Sequence, residues 1–189
     1  MQAQELRYTS TDYTASVAAE EYIRRYLDAD RFLGYCKECR NYGSIWACPP
    51  FIYDPLVRLR PFRNVFLIAT RIEPEESYLP LACSRDLIRP ERVRLESRLL
   101  ELETQSGGLA CAYTGECLHC PEGTCARRKR EPCRHPELVR PSLEAYGFDI
   151  SRTLTDLFGM ELLWGNDGKL PKYLTLVCGL FHNCEKIDY

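Results

Sequence analysis

The chain has 189 residues, of which 45% are hydrophobic and 28% charged, so it is long and apolar enough to fold around a core. Its 25 basic and 27 acidic side chains give a net charge of -2, and nucleic acid is therefore not expected as a partner. No apolar run approaches the length of a membrane span, and the N-terminus lacks the apolar centre of a secretory signal. These features predict a cytoplasmic protein without a membrane partner.

Three elements are predicted in the first part of the chain. Apolar residues at helical spacing predict a helix over 15–27. The apolar run over 64–70 is typical of a short strand that is buried on both faces. A long helix is predicted over 84–104, with Gly107 just after its end. Its inward stripe consists of Leu95, Leu99 and Leu102.

The second part predicts a strand over 109–113 and a short helix between Pro141 and Gly147. Asp149 is placed to cap a helix over 150–158, which Gly159 ends. Two final strands are predicted over 160–164 and 172–181, joined by a turn.

This order of elements predicts an α/β or α+β fold, a single domain over residues 1–189. A small mixed sheet would be flanked by helices. Two cysteine-rich loops, over 36–50 and 115–136, would carry the chemistry.

Cysteine is the unusual residue, with 11 in the chain. Without an export signal the thiols are expected to stay reduced, which favours metal or catalytic chemistry over disulfides. Because 11 is an odd number, the cysteines also could not all pair in disulfides within the chain.

The second loop carries four thiols in the pattern C-x2-C-x4-C-x7-C, at Cys117, Cys120, Cys125 and Cys133. Four close thiols on a turn-rich segment suit a [4Fe–4S] cluster, whose sulfides accept hydrogen bonds from free backbone amides. Zinc is the alternative, because four thiolates also form a tetrahedral structural site. His119 or His135 could replace one thiol.

The first loop has three thiols, at Cys36, Cys39 and Cys48, and no fourth ligand nearby. Cys111 is the nearest additional candidate by type. Other available thiols are Cys83, Cys178 and Cys184, although these are interpreted mainly as small buried residues. Alternatively, three thiolates would leave one iron of a cluster open to substrate.

Three further features lie in or near the two loops. Tyr42 and Trp46 are placed to shield a cluster from water, which raises its potential. The basic run 127–130 would attract an acidic redox partner, an anionic substrate or RNA, or would simply be solvated. Glu144 is interpreted first as part of a helix start and only second as a catalytic residue.

The two loops together resemble the DUF2284 family of predicted metal-binding proteins. The first match is C-x2-C-x2-Y-G-x2-W-x-C-P-P-F over 36–51; the second comprises the thiols of the second loop, P-C-R-x-P over 132–136 and the run RPSLEAYGFDI over 140–150. Departures such as Leu143 and Glu116 leave the thiols in place. The resemblance implies metal binding, with iron–sulfur chemistry favoured, and names no reaction.

Three functions follow from these expectations. The first is a redox or electron-transfer protein with one or two [4Fe–4S] clusters and a redox protein as partner. The second is an enzyme in which the open iron of the three-thiol centre binds a small-molecule substrate. The third is a binding module stabilised by zinc.

Overall fold

The computed structural model describes residues 6–112, 115 and 117–189. Its strands are β1 (Tyr8–Ala18), β2 (Asn64–Pro74), β3 (Leu109–Cys111) and β4 (Leu174–His182). Its α-helices are α1 (Ala19–Tyr26), α2 (Ala29–Lys37), α3 (Pro55–Leu59), α4 (Ser84–Ser106) and α5 (Ile150–Phe158). Short 3-10 helices cover Leu81–Cys83, Ala126–Lys129 and Glu144–Tyr146. None of the helices described here has the length and apolar character needed to cross a bilayer.

The four strands form one sheet in the order β1-β2-β4-β3. Each neighbouring pair is antiparallel: Val65 of β2 lies between Val17 and Phe181, and Phe181 also pairs with Leu109. The predicted combination of a small sheet with helices is confirmed. The expectation of mixed strand directions is wrong, because adjacent strands here alternate in direction throughout.

Apolar side chains cover both faces of the sheet. Along β2, Val65, Leu67 and Ala69 join one core cluster with residues of α1 and α5. The alternating residues Phe66, Ile68 and Ile72 join the other, with the predicted stripe of α4. The strand is therefore buried on both faces, as its apolar run predicts.

Helix ends follow local chemistry. The Asp149 side chain accepts a hydrogen bond from the Arg152 amide at 2.9 Å, and Gly159 ends α5 in the left-handed conformation. Gly107 ends α4 in the same way. Between Pro141 and Gly147 the predicted short helix is a single 3-10 turn.

One predicted boundary and one predicted strand are wrong. Residues 15–18 belong to β1 and not to the following helix, because the run over 8–18 pairs with β2 along its whole length. Residues 160–164 form no strand. The apolar side chain of Met160 is instead buried in the core. Tyr113, the end of the predicted second strand, lies outside the described residues.

The fold brings both cysteine loops to one side of α4. The first loop follows α2, and the second follows β3. The segment after the second loop is tied to the structure by backbone hydrogen bonds from Ala112 to Pro141 at 2.9 Å and from Asp28 to Gly147 at 2.9 Å. Residues distant in sequence therefore meet around the thiols.

Candidate metal centre

The first loop presents its three thiols from consecutive turns. Cys36 lies in the last turn of α2, and the amide of Cys39 donates to its carbonyl oxygen at 3.0 Å. The Cys48 amide donates to Ile45 at 3.0 Å. All three cysteines line one cavity of about 140 Å³, called here the first cavity. The predicted three-thiol group is therefore brought together.

Charged side chains from other elements complete the first cavity. α4 contributes Arg92 and Glu96, and the segment after the second loop contributes Arg140 and Glu144. Arg140 is held by Glu103 of α4 at 2.8 Å, and the same carboxylate accepts from the Ala110 amide at 2.6 Å. The cavity thus combines thiols with groups that can carry positive charge or exchange protons.

The four thiols of the second loop line a separate cavity of about 130 Å³, called here the second cavity. His119 and His135 line it too, with ring centroids 6.2 Å apart. The His119 Nε2 atom lies 3.1 Å from the Glu96 carboxylate. This carboxylate fixes the His119 ring and connects the second cavity to α4.

Cys117 lines both cavities. Burial raises the pKa of the Cys117 thiol to about 11, although a hydrogen bond from the His119 backbone acts to lower it. Burial likewise raises the pKa of Cys48 to about 12, with contributions from Cys39, Cys36 and, across the boundary, Cys117. In the metal-free protein these thiols are protonated at neutral pH, so metal binding must displace protons.

Arg127 joins the two loops. Its guanidinium donates hydrogen bonds to the carbonyl oxygens of Ile45, at 2.7 Å, and of Cys48 and Pro50. It also lies over the ring of Trp46, with 5.1 Å between Cζ and the ring centroid. The first residue of the basic run is therefore a structural link and not a solvated charge.

The two aromatic residues of the first loop lie at different cavities. Tyr42 lines the first and Trp46 the second. The Trp46 indole donates to the carbonyl oxygen of Glu131 at 3.1 Å, which fixes the ring against the second loop. Both rings are adjacent to thiols, as a shielding role requires.

The remaining cysteines lie elsewhere. Cys111, the additional ligand candidate, is fully buried in the core on β3, and burial raises its pKa. Cys178 is also fully buried, whereas Cys83 and Cys184 are partly exposed. Among the described residues, these four cysteines line neither thiol cavity.

Sequence reasoning missed the contribution of α4. Arg85, Arg89, Arg92 and Glu96 recur at helical spacing, so they share a face that differs from the apolar stripe. That periodicity was a usable signal for a functional helix face. It does not indicate which loop the face meets.

The thiols are the soft donors of this site. Among the described residues, no three His, Cys, Asp or Glu side chains are arranged to hold a single metal ion. Four cysteines are among the residues that line each of the two cavities, and Cys117 is common to both. Soft sulfur donors suit zinc and iron–sulfur clusters alike.

Comparison with known proteins identifies the family. No curated protein and no solved structure matches the chain. A family model described as "Predicted metal-binding protein (DUF2284)" matches residues 24–181, a range that includes all seven thiols of the two loops. The chain therefore belongs to the DUF2284 family of predicted metal-binding proteins.

Proposed function

We propose that this protein binds two neighbouring [4Fe–4S] clusters and transfers electrons through them. Cys117, Cys120, Cys125 and Cys133 would hold one cluster, and the three thiols of the first loop would hold the other. The observation that carries this proposal is the common boundary of the two cavities at Cys117. Adjacent clusters suit electron transfer because an electron can pass between them inside the protein.

The size of the cavities favours clusters over zinc. A zinc ion draws four sulfurs to about 2.3 Å from one point, which leaves no cavity between them. Here the thiols line spaces of about 140 Å³ and about 130 Å³. A cluster occupies volume and binds thiolates around its outside, in keeping with such spaces.

Nearby cations support a redox role. Thiolate-bound clusters are anionic, and adjacent positive charge stabilises their reduced state. Arg92 and Arg140 line the first cavity, and Arg128 lines the second. These arginines would raise the potentials of the clusters, whereas Glu96 and Glu144 at the first cavity and Glu122 at the second would act in the opposite direction.

Anaerobic purification with iron, sulfide and zinc analysis tests the proposal directly. We expect about eight iron atoms per chain, from two four-iron clusters. Cys133→Ser and Cys36→Ser should each remove about half of the iron, because each variant loses one cluster. Reduction of the wild type should give an EPR spectrum broadened by magnetic interaction between two clusters.

Cys83→Ser is the matched control, since Cys83 is partly exposed and lines neither thiol cavity. Its iron content should equal that of the wild type. A colourless protein with stoichiometric zinc and no iron would refute the proposal and establish the zinc-stabilised module.

A second function, an enzyme with an open iron, is favoured by one specific observation. The first cavity holds no fourth cysteine of its own loop, but it is lined by Glu144, Glu96 and Arg140. A cluster on three thiolates offers an iron that binds substrate as a Lewis acid. The carboxylates would exchange protons with that substrate, and Arg140 would orient an anionic group.

Mild oxidation tests whether the first-loop cluster has the open iron that the enzyme function requires. An iron without a thiolate is lost easily, so oxidation should convert the first-loop cluster to a three-iron form with its own EPR signal. Cys36→Ser should abolish that signal, and Cys133→Ser should retain it. Two clusters that both survive oxidation unchanged would leave electron transfer as the only supported function.

A further inference from the structure

Strand β1 forms one edge of the sheet along its whole length. It has 11 residues, and β2 is its single neighbour in the order of strands. The opposite edge is β3, which has only 3 residues and leads into the second cysteine loop. Among the described residues, no backbone group outside β2 is hydrogen-bonded to residues 8–17. A further strand can therefore join the sheet at β1.

The free backbone groups of β1 alternate along the strand. Just beyond its two ends, the Glu75 amide donates to the Arg7 carbonyl at 3.0 Å, and the Ala19 amide donates to the Arg63 carbonyl at 2.8 Å. Both pairs continue the register of β1 with β2. Antiparallel partners alternate between hydrogen-bonded and non-hydrogen-bonded pairs, so the odd-numbered residues of β1 bond to β2. The N–H and C=O groups that point away from β2 therefore belong to Tyr8, Ser10, Asp12, Thr14 and Ser16.

β1 has none of the features that usually protect an edge strand. Natural edges carry lysine, proline or a bulge, each of which opposes pairing with another chain. β1 contains no lysine and no proline, and it pairs with β2 in one register without a bulge. Most of its residues are Thr, Tyr or Val, which favour strands. Its sequence therefore favours pairing at the free edge.

The edge is accessible, and its own residues carry little charge. Ser10, Thr14 and Ser16 are exposed. Asp12 is the one charged residue of β1, and its carboxylate lies 2.7 Å from the Arg94 guanidinium of α4. Because this ion pair offsets the charge of Asp12, two copies of the strand can approach without strong repulsion between them.

The free edge of β1 is complementary to a second copy of itself. In an antiparallel pair about a twofold axis, the numbers of opposing residues add to a constant. With Tyr13 on the axis, the two strands overlap along their full length, and Ser10 lies opposite Ser16 while Asp12 lies opposite Thr14. The free N–H and C=O groups then face each other and can form about ten hydrogen bonds, a number typical of a stable interface. In this register the two Asp12 carboxylates do not oppose each other.

Tyr13 is the residue at the proposed axis, and it is 40% exposed. Its backbone bonds to β2, so it would form a non-hydrogen-bonded pair with its own copy, the kind of pair in which side chains lie closest. Aromatic pairs across strands stabilise sheets. Association through β1 therefore covers an exposed aromatic ring.

We propose that two copies of this chain associate through β1 and form one continuous antiparallel sheet, with a twofold axis at Tyr13. The occupant of the edge is a second copy, because the register that aligns the free backbone groups also spans the whole strand and separates the charges. No residue of β1 lines either thiol cavity. The association is therefore independent of the proposed clusters.

Sedimentation equilibrium of the metal-loaded full chain, under anaerobic conditions and over a range of concentrations, tests the association. We expect a mass of about twice 21.9 kDa. Hydrogen exchange followed by mass spectrometry at residue resolution then locates the interface. The amides of Ser10, Asp12, Thr14 and Ser16 should exchange slowly in the dimer and fast in the dissociated chain, whereas the odd-numbered amides stay protected by β2 in both.

Tyr13→Lys places two ammonium groups opposite each other at the axis, where like charges oppose pairing. Its mass should fall to about half that of the wild type, while the circular dichroism spectrum and the metal content stay unchanged. Tyr78→Lys is the matched control, because Tyr78 is 79% exposed and lies outside β1. The control should associate as the wild type does.

A wild type that is monomeric at every concentration would overturn the proposal, even where an extended peptide from another protein adds to the same edge. Equal masses of Tyr13→Lys and Tyr78→Lys would overturn it as well. If Tyr13→Lys fails to fold, hydrogen exchange of the wild type decides: a dimer whose even-numbered β1 amides exchange fast is joined elsewhere. A dimer that persists without any iron would instead refute the clusters alone.

Discussion

The Arg127 guanidinium of the second cysteine loop donates a hydrogen bond to the backbone carbonyl oxygen of Ile45 in the first loop, at 2.7 Å and 82 residues away in sequence. The same side chain reaches the carbonyls of Cys48 and Pro50. A side chain from one thiol loop therefore fixes the backbone that presents a thiol of the other.

Arg127→Gln should loosen the first loop, because charge-assisted hydrogen bonds are worth roughly 1.5–3 kcal/mol each. We expect faster amide hydrogen exchange over residues 39–50 and a lower iron content at the three-thiol centre. The measurement is exchange by mass spectrometry on the metal-loaded protein.

Lys129→Gln is the matched control, since Lys129 lies in the same 3-10 helix, is exposed and lines neither thiol cavity. Its exchange pattern should equal that of the wild type. Equal effects of the two variants would show that net charge, and not the link to the first loop, is responsible.

Cys117→Ser should have a larger effect than Cys120→Ser. Both cysteines line the second cavity, but only Cys117 also lines the first. Cys120→Ser should lose one cluster, about four iron atoms per chain, whereas Cys117→Ser should also perturb the other cluster. Iron analysis with the EPR spectrum of the remaining cluster measures both effects. Identical remaining spectra in the two variants would contradict a common boundary at Cys117.

Asp12→Asn should lower stability at neutral pH. Burial alone raises the pKa of Asp12, but hydrogen bonds from Arg94, Thr70 and Tyr189 lower it below the ordinary 3.8. Its contribution to stability is therefore present above that ordinary value and is lost as the pH falls through the lower folded pKa. We expect a loss of about 1–3 kcal/mol at neutral pH, which shrinks in strong acid.

Urea denaturation of the wild type and the variant at each pH measures the difference between their free energies of unfolding. Effects of pH that both proteins share cancel in this difference. Asp188→Asn is the control, because the Asp188 side chain is 93% exposed. It should behave as the wild type does. A stability difference for Asp12→Asn that is the same at all pH values would contradict the role of its ionised form.

Leu99→Ala should destabilise the fold by about 2–5 kcal/mol, since it leaves a cavity between α4 and the sheet. Leu99 is only 1% exposed, whereas Val93 on the same helix is 51% exposed. Val93→Ala should therefore change stability by less than about 1 kcal/mol. Chemical denaturation of both variants checks this, and similar losses would show that the α4 face is assigned wrongly.

The clearest correct predictions concern structure that depends on neighbours in sequence. Asp149 and Gly159 determine the two ends of α5, because a capping side chain and a left-handed glycine act within one turn. The apolar run of β2 required burial on both faces. The thiols of each loop lie close in sequence, so it was predictable that each group would line one cavity, whereas their role as metal ligands stays a prediction.

The sequence could not show that the helix predicted over residues 15–27 begins only at Ala19. Residues 15–18 have the same apolar spacing as a helix start, but pairing with β2 holds them in a strand. Likewise, 160–164 is apolar enough for a strand and packs as a loop segment, with Met160 in the core. Tertiary contacts outweigh weak local preferences in both cases.

The sequence by itself determined which thiols are grouped along the chain and thereby predicted metal binding, since residue type and close spacing are local properties. Only the tertiary structure decided that the two groups meet at Cys117, that Arg127 joins their loops and that α4 brings its arginines beside them. These contacts join segments tens of residues apart. The order of strands in the sheet and the packing of α4 against it decide which distant segments become neighbours, and no local pattern encodes that choice.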